Sequence, residues 1–186
     1  MVSSPPTLTV ATPLPQHLFS RRDKIPLRKN VLWRIERGVV RTLTWSEEGT
    51  LSTLGYWGAG DIVGHPLSRL TPYVVECLTS VEVSILPPAL WQEAEDAIVL
   101  HIQNTEELLS IVNQNPLQQR LWQFLVFLGQ KFGRDVEQGR LIDLLLTHQE
   151  LAEAINATRV TVTRMLQQFE QEGMLLRHSR RLVLCR

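Results

Sequence analysis

Apolar and polar residues follow two different rhythms along this chain, and the change comes at Pro87-Pro88. Before it, β-branched and aromatic residues gather in short runs over residues 39–45, 51–57, 73–78 and 81–86, a pattern that predicts strands. Six of the ten glycines fall between residues 38 and 64, and Ser46-Glu47-Glu48-Gly49 has the chemistry of a tight turn between the first two runs. Short strands at this spacing predict a small antiparallel roll or barrel. After the prolines, apolar positions recur at intervals of three and four, the helical period. The chain reads as α+β, with the sheet region first.

Ile98, Ile102, Thr105, Leu109 and Val112 recur at steps of 4, 3, 4 and 3. This heptad-like seam predicts a helix able to pair with a second copy of itself, although a helix lying on the roll would carry the same spacing. Residues 88–115 hold Glu93, Glu95, Asp96, Glu106 and Glu107 and no Lys or Arg, so this helix is not a surface for nucleic acid. A second helix is expected from Pro116, a favourable first helical residue, with Leu117, Leu121, Phe124, Leu125 and Leu128 on one face and Gly133 as its stop. Residues 133–139 read as turn and 141–146 as a short strand.

The most informative stretch follows. Thr147-His148-Gln149-Glu150 is a capping box, in which Thr147 accepts the backbone N–H of Glu150 and the Glu150 carboxylate reaches back to the N–H of Thr147. A helix should therefore start at His148, bury Leu151, Ala154 and Ile155, and end at Asn156, a residue that tolerates left-handed backbone. Thr158 can cap the next helix, whose Val162, Met165, Leu166 and Phe169 share one face. Arg159, Val160, Thr163 and Arg164 share the opposite one, and Gly173 stops the helix. Two short helices joined by a tight turn, the second showing arginines at its exposed N-terminal end, predict a helix-turn-helix with a recognition helix for the major groove. A guanidinium can meet guanine O6 and N7 together, and Val160 or the Thr163 methyl can rest against a thymine methyl. Arg177-His178-Ser179-Arg180-Arg181, set between apolar pairs, reads as a basic hairpin suited to phosphates.

Composition narrows the picture. With 186 residues the chain has room for one large domain or two small ones, and its 44% apolar and 20% charged content excludes collagen-like and wholly disordered architectures. Nineteen Lys and Arg balance nineteen Asp and Glu, so attraction to nucleic acid must be local. It is: residues 156–186 carry six arginines against two glutamates. Cys77 and Cys185 are too few for a disulfide framework, an iron–sulfur site or a zinc finger, which makes a reducing cytoplasm the expected compartment. Residues 1–18, with prolines at 5, 6, 13 and 15, are expected to be a disordered leader and not a signal peptide. No stretch approaches the roughly 18 apolar residues of a membrane span.

Residues 146–166, LTHQELAEAINATRVTVTRML, and the continuation to Gly173 closely resemble the winged helix-turn-helix of the CRP/FNR superfamily, the catabolite-activator and fumarate-nitrate-reduction regulators. The run from Arg159 to Arg164 is similar to the branch that includes the cyanobacterial global nitrogen regulator. Upstream, Leu32-Trp33-Arg34-Ile35-Glu36-Arg37-Gly38 and Trp57-Gly58-Ala59-Gly60-Asp61-Ile62-Val63-Gly64 resemble the family's β-roll strands, so the likeness spans roughly residues 19 to 186.

The resemblance implies a cupin-like antiparallel β-roll over 19–87, a long dimerisation helix within 88–115 and a winged helix-turn-helix over 116–186. It implies base reading by Arg159, Val160, Thr163 and Arg164, and backbone contacts from His148, Gln149, Thr158, Thr161, Arg180 and Arg181. The implied partners are double-stranded DNA, a second copy of the chain and RNA polymerase, with no membrane. Val160 stands where other branches often carry a cytosine-reading Glu, which predicts a different half-site. Family members that bind cyclic nucleotide carry Gly-Glu and an Arg-Ser/Thr-Ala triplet. Here His65 follows Gly64, and Thr71-Pro72-Tyr73 stands at the triplet, so a cyclic nucleotide is not expected and the effector is unknown. Between Phe19 and Asn30 the chain is also short for the hairpin that usually completes the roll.

Enzymatic readings find little support. Gly58-Ala59-Gly60 with Gly64 lacks the Lys-Ser/Thr of a phosphate-binding loop and reads as turn glycines. The five histidines, His17, His65, His101, His148 and His178, have no paired spacing, and His65 with Cys77 is the weak best candidate for a metal or heme. No Ser/His/Asp or Cys/His set can be nominated, so neither a cofactor nor catalysis is expected. Two modes of control stay open beside unassisted DNA binding: a small metabolite on the roll, or a protein partner docking there.

Overall fold

In a computed structural model, residues 15–185 are described. The chain opens with seven strands, β1 (Gln16–Phe19), β2 (Leu32–Arg37), β3 (Val40–Trp45), β4 (Leu51–Trp57), β5 (Ile62–Val63), β6 (Val74–Cys77) and β7 (Val81–Leu86). They form two antiparallel sheets, β1-β7-β2-β5 and β4-β3-β6. Trp33, Ile35, Val63, Val81 and Val83 from the first sheet meet Val40, Trp57, Val75 and Cys77 from the second in a buried cluster. Alternation places these side chains on the inner faces, where each large one contributes about 1.5 to 3 kcal/mol. The turn from β2 to β3 depends on Gly38: its φ is +90°, and a Cβ there would stand 2.3 Å from the carbonyl oxygen of Ser80.

A 3-10 segment (Pro88–Ala94) leads into α1 (Glu95–Val112), followed by α2 (Leu117–Phe132), β8 (Gly133–Val136) and β9 (Gly139–Ile142). Then come α3 (His148–Ala154), α4 (Arg159–Gln171), β10 (Leu175–His178) and β11 (Arg181–Cys185). The last four strands form one sheet in the order β10-β11-β9-β8. The larger core runs through the whole C-terminal part and reaches back to the roll. It joins Tyr56 and Leu78 to Leu108 and Ile111 of α1, to Leu121, Phe124, Leu125 and Leu128 of α2, and to the buried stripes of α3 and α4.

Four expectations need correction. Residues 1–14 of the expected leader lie outside the described residues, but 16–18 are not leader: they belong to β1, paired with β7 from Gln16↔Ser84 to Phe19↔Val81. Residues 133–139 are not simply turn, because Gly133–Val136 is a strand held by β9, a pairing that polar Arg134 and Asp135 do not announce. The strand expected over 141–146 ends at Ile142, and Leu144 instead enters the larger core.

The fourth correction concerns the seam of α1. Ile98 packs on the roll with Leu32, Ile62 and Leu86, and Val112 packs on the larger core, so both ends of the expected stripe face their own chain. Ile102 and Leu109 do point outward, at 54% and 60% exposure, and Val99 joins them at 51%. Thr105 is exposed, its hydroxyl bonded to His101 O at 2.8 Å. The rotation follows from His101, which stacks on Trp57 with centroids 3.9 Å apart and planes 5° apart and donates from Nδ1 to Ile62 O at 3.1 Å.

Candidate nucleic-acid interface

Local chemistry builds the helix pair as the sequence predicts. Thr147 Oγ1 accepts from Glu150 N at 3.1 Å while Thr147 N donates to Glu150 Oε2 at 2.6 Å, closing the capping box of α3. At its other end Asn156 is left-handed, with φ +53°, and Ala157 N donates to Ala152 O at 3.0 Å, the bond of a Schellman stop. Thr158 Oγ1 accepts from Thr161 N at 3.1 Å and so caps α4. Gly173, with φ +72°, ends α4 in the same way, Met174 N donating to Phe169 O at 2.9 Å. Arg120 fixes the pair from below: its guanidinium donates to Ile155 O at the end of α3 and to Gln114 O after α1, both at 3.0 Å. No local pattern marks its bond to Ile155, a residue 35 positions further along the chain.

α4 buries Val162, Met165, Leu166 and Phe169. On the opposite side Arg159, Val160, Thr163 and Arg164 line one shallow concavity, and Gln167 completes it. Val160 is 78% exposed, which leaves its methyl groups open to contact. Gln167 is not among the residues the sequence singles out, yet it lies three, four and seven residues beyond Arg164, Thr163 and Val160, so helical spacing alone could have found it. Thr163 is the exception in this face: its hydroxyl donates to Arg159 O at 2.9 Å and lies 2.7 Å from His148 Nδ1. With that proton committed, His148 donates from Nδ1, and its Nε2 faces Arg177 Nη1 at 3.5 Å. Burial first, then the charges of Arg177 and Arg159, hold the His148 pKa below the ordinary 6.5 against the pull of Glu170, and the ring is neutral. The imidazole is thus turned into the fold, leaving the backbone N–H groups of His148 and Gln149 at the open end of α3.

The wing is a two-residue hairpin. Ser179 and Arg180 are both left-handed, with φ +48° and +68°, between the paired ends His178 and Arg181. Arg180 is exposed at its tip, whereas Arg181 pairs with Asp143 at 2.8 Å and Arg177 with Glu170. Among the described residues no three His, Cys, Asp or Glu side chains gather as a metal site requires. None of the described helices is long and apolar enough to cross a membrane.

Residues 119–186 match the profile of the Crp-like helix-turn-helix domain. Over 185 residues the chain is 44% identical to the regulatory protein CysR of Synechococcus elongatus, covering 97% of this chain and 88% of that protein. The chain belongs to the CRP/FNR family. It is a transcriptional regulator with a DNA-binding helix-turn-helix behind a cyclic-nucleotide-binding-like fold. A shorter likeness, 34% identity over 113 residues, 58% of this chain and 51% of the other, links it to the global nitrogen regulator of the same species. The fold is shared with a CRP-family transcriptional regulator from Thermus thermophilus at a TM-score of 0.78 and 24% identity, over 91% of this chain and 92% of that one. The relatives named here are regulators, not enzymes.

Proposed function

We propose that the chain acts as a homodimer on a two-fold symmetric duplex site, with α4 of each copy in one of two successive major grooves about 34 Å apart. The observation that carries this reading is the outer face of α4, where Arg159, Val160 and Arg164 stand together on a helix anchored by a buried opposite face. Arg159 and Arg164 offer guanidinium forks to guanine, Val160 an apolar surface to a thymine methyl, and Thr163 its methyl only. Phosphates fall to the first N–H groups of α3 at His148 and Gln149, to Thr158 and Thr161 at the start of α4, and to Arg180 with Arg181 on the wing. The second copy docks along Val99, Ile102 and Leu109 of α1, where apolar side chains otherwise face water.

In this reading the roll covers 19–87 together with β1, the dimerisation segment 88–115 and the winged helix-turn-helix 116–186. RNA polymerase is the further partner, the compartment is the cytoplasm, and the chain performs no catalysis. A second reading adds a small effector other than a cyclic nucleotide. It is favoured by a cavity of about 280 Å³ between the roll and α1, lined by Thr42, Trp57, Arg69, Tyr73, His101 and Thr105.

Selection from random duplex DNA with the purified chain tests the main reading, and enrichment of a two-fold symmetric site is the expected result. If the Arg159→Ala protein enriches the same sequences as the wild type, the base-reading role is overturned. A rise in melting temperature with a candidate metabolite supports the effector reading, provided that Thr105→Trp, which fills the cavity, abolishes it.

A further inference from the structure

The first helix of the pair has a charge problem that its own segment cannot solve. Residues 141–158 contain no Lys or Arg and three acids, Asp143, Glu150 and Glu153, although this end of the fold is the one expected beside phosphates. The roll supplies the missing cations. Arg41 of β3, with its side chain 7% exposed, reaches across to Glu153 Oε2 at 2.8 Å while bonding Glu76 Oε2 at 2.7 Å. Arg21 donates to Leu145 O at 2.9 Å and lies 3.8 Å from Glu150 Oε1. Two carboxylates of α3 are thereby paired from outside the helix-turn-helix, and the turn that carries Arg21 is fastened to the open end of α3.

That turn, residues 20–23, is closed twice, by Asp23 N to Ser20 O at 3.1 Å and by Ser20 N to Asp23 Oδ2 at 2.7 Å. Its third position is Arg22, exposed and left-handed with φ +74°, where Gly or Asn is the cheaper residue. Among the described residues, four that are not glycine have such backbone: Asn156 inside the helix-turn-helix, Ser179 and Arg180 on the wing, and Arg22. Arg22 thus repeats on the roll what Arg180 does on the wing, an exposed arginine at a turn tip held against backbone preference, and its neighbour Arg21 ties that turn to Leu145 and Glu150 at the start of α3. Strain retained at an exposed position points to a use for the side chain.

We propose that the 20–23 turn of the roll is part of the DNA interface, with Arg22 contacting a backbone phosphate beyond the bases that α4 reads. Arg21 is its positioning residue, clamping the turn to α3. The inference rests on the DNA-binding reading above and extends its surface from the C-terminal domain to the roll.

The test compares full-length wild type, Arg22→Gly and Arg180→Ala for binding to a mixed-sequence duplex of about 60 base pairs across a range of salt, a titration that needs no known target. Glycine removes the charge and relaxes the left-handed backbone, so Arg22→Gly should melt no lower than the wild type. It should bind several-fold more weakly, and the slope of log affinity against log salt should fall by roughly two for a dimer, one phosphate per copy. An Arg22→Gly protein that melts normally and keeps the wild-type slope overturns the proposal, while a loss at Arg180→Ala in the same series leaves the DNA-binding reading standing. A folded wild type that binds no duplex at any salt overturns both.

Discussion

α1 and α4 each bury one side and leave the other open, but the open sides carry opposite chemistry. α1 exposes Val99, Leu100, Ile102 and Leu109 with Glu106 and Glu107 between them, and its segment holds no cation. α4 exposes Arg159, Val160, Arg164 and Gln167. Apolar side chains in water gain by meeting another apolar surface, whereas two guanidinium groups beside a lone valine gain by meeting phosphates and base edges. The inward sides are alike in being claimed by the chain's own core, Leu108 and Ile111 from α1 and Leu166 and Phe169 from α4. Two amphipathic helices on one core thus leave open an apolar, acid-flanked face and a basic one, which the proposed function gives to a second copy and to DNA, and the acids along α1 repel a polyanion.

The sharpest way to break this contrast is to give α1 a charge it cannot pair. Ile102→Asp should cost about 3 to 5 kcal/mol of association by placing a carboxylate in each half of an apolar contact, and sedimentation should find monomer. Dimer at unchanged concentration would remove α1 as the self-associating face. Next in size, Arg159→Ala should lose about 1 to 3 kcal/mol on the enriched site and far less on scrambled duplex, read by fluorescence anisotropy. Val160→Glu tests the same face more finely: a carboxylate accepts from the N4 of cytosine, and a second selection should shift one base of each half-site to C.

The smallest effect is a pH dependence shared by both helices. His101 titrates below the ordinary 6.5 because it is buried, with Lys131 adding to the depression and the Ile62 carbonyl and Asp61 opposing it. His148, which braces Thr163 of α4, is depressed likewise. The unfolded chain therefore binds protons more readily than the native one. The stability from these neutral rings is complete above 6.5 and is lost as pH falls towards their native values. Denaturant midpoints should drop from pH 7 to about 5, and His101→Gln should flatten the drop.

The helix-turn-helix was legible nearly residue by residue, because its signals are local. Thr147 with Glu150, Asn156, Thr158 and Gly173 each act within one turn of chain, so the sequence carries them complete. The strands over 81–86 and 51–57 were legible for a similar reason, since alternation and β-branching are properties of the run itself. β1 and β8 were not, because polar residues such as Gln16, Arg134 and Asp135 become strand only when β7 and β9 offer them partners. The seam of α1 was half legible. Spacing found Ile102 and Leu109, but which neighbouring apolar residues turn outward depended on where the roll took Ile98 and stacked Trp57 on His101.

By itself, then, the sequence determined the order of sheet, long helix and reading helix, and the residues on the face of α4, all consequences of periodicity and capping that need no distant contact. Only the tertiary structure decided that Arg41 and Arg21 serve Glu153 and Glu150 across the roll, that His148 bonds the Thr163 hydroxyl, and that Arg22 takes left-handed backbone next to the Arg21 clamp. Charges separated by 112 residues in the chain meet within 2.8 Å in the fold, and Coulomb attraction depends on distance in space, about which spacing in sequence says nothing.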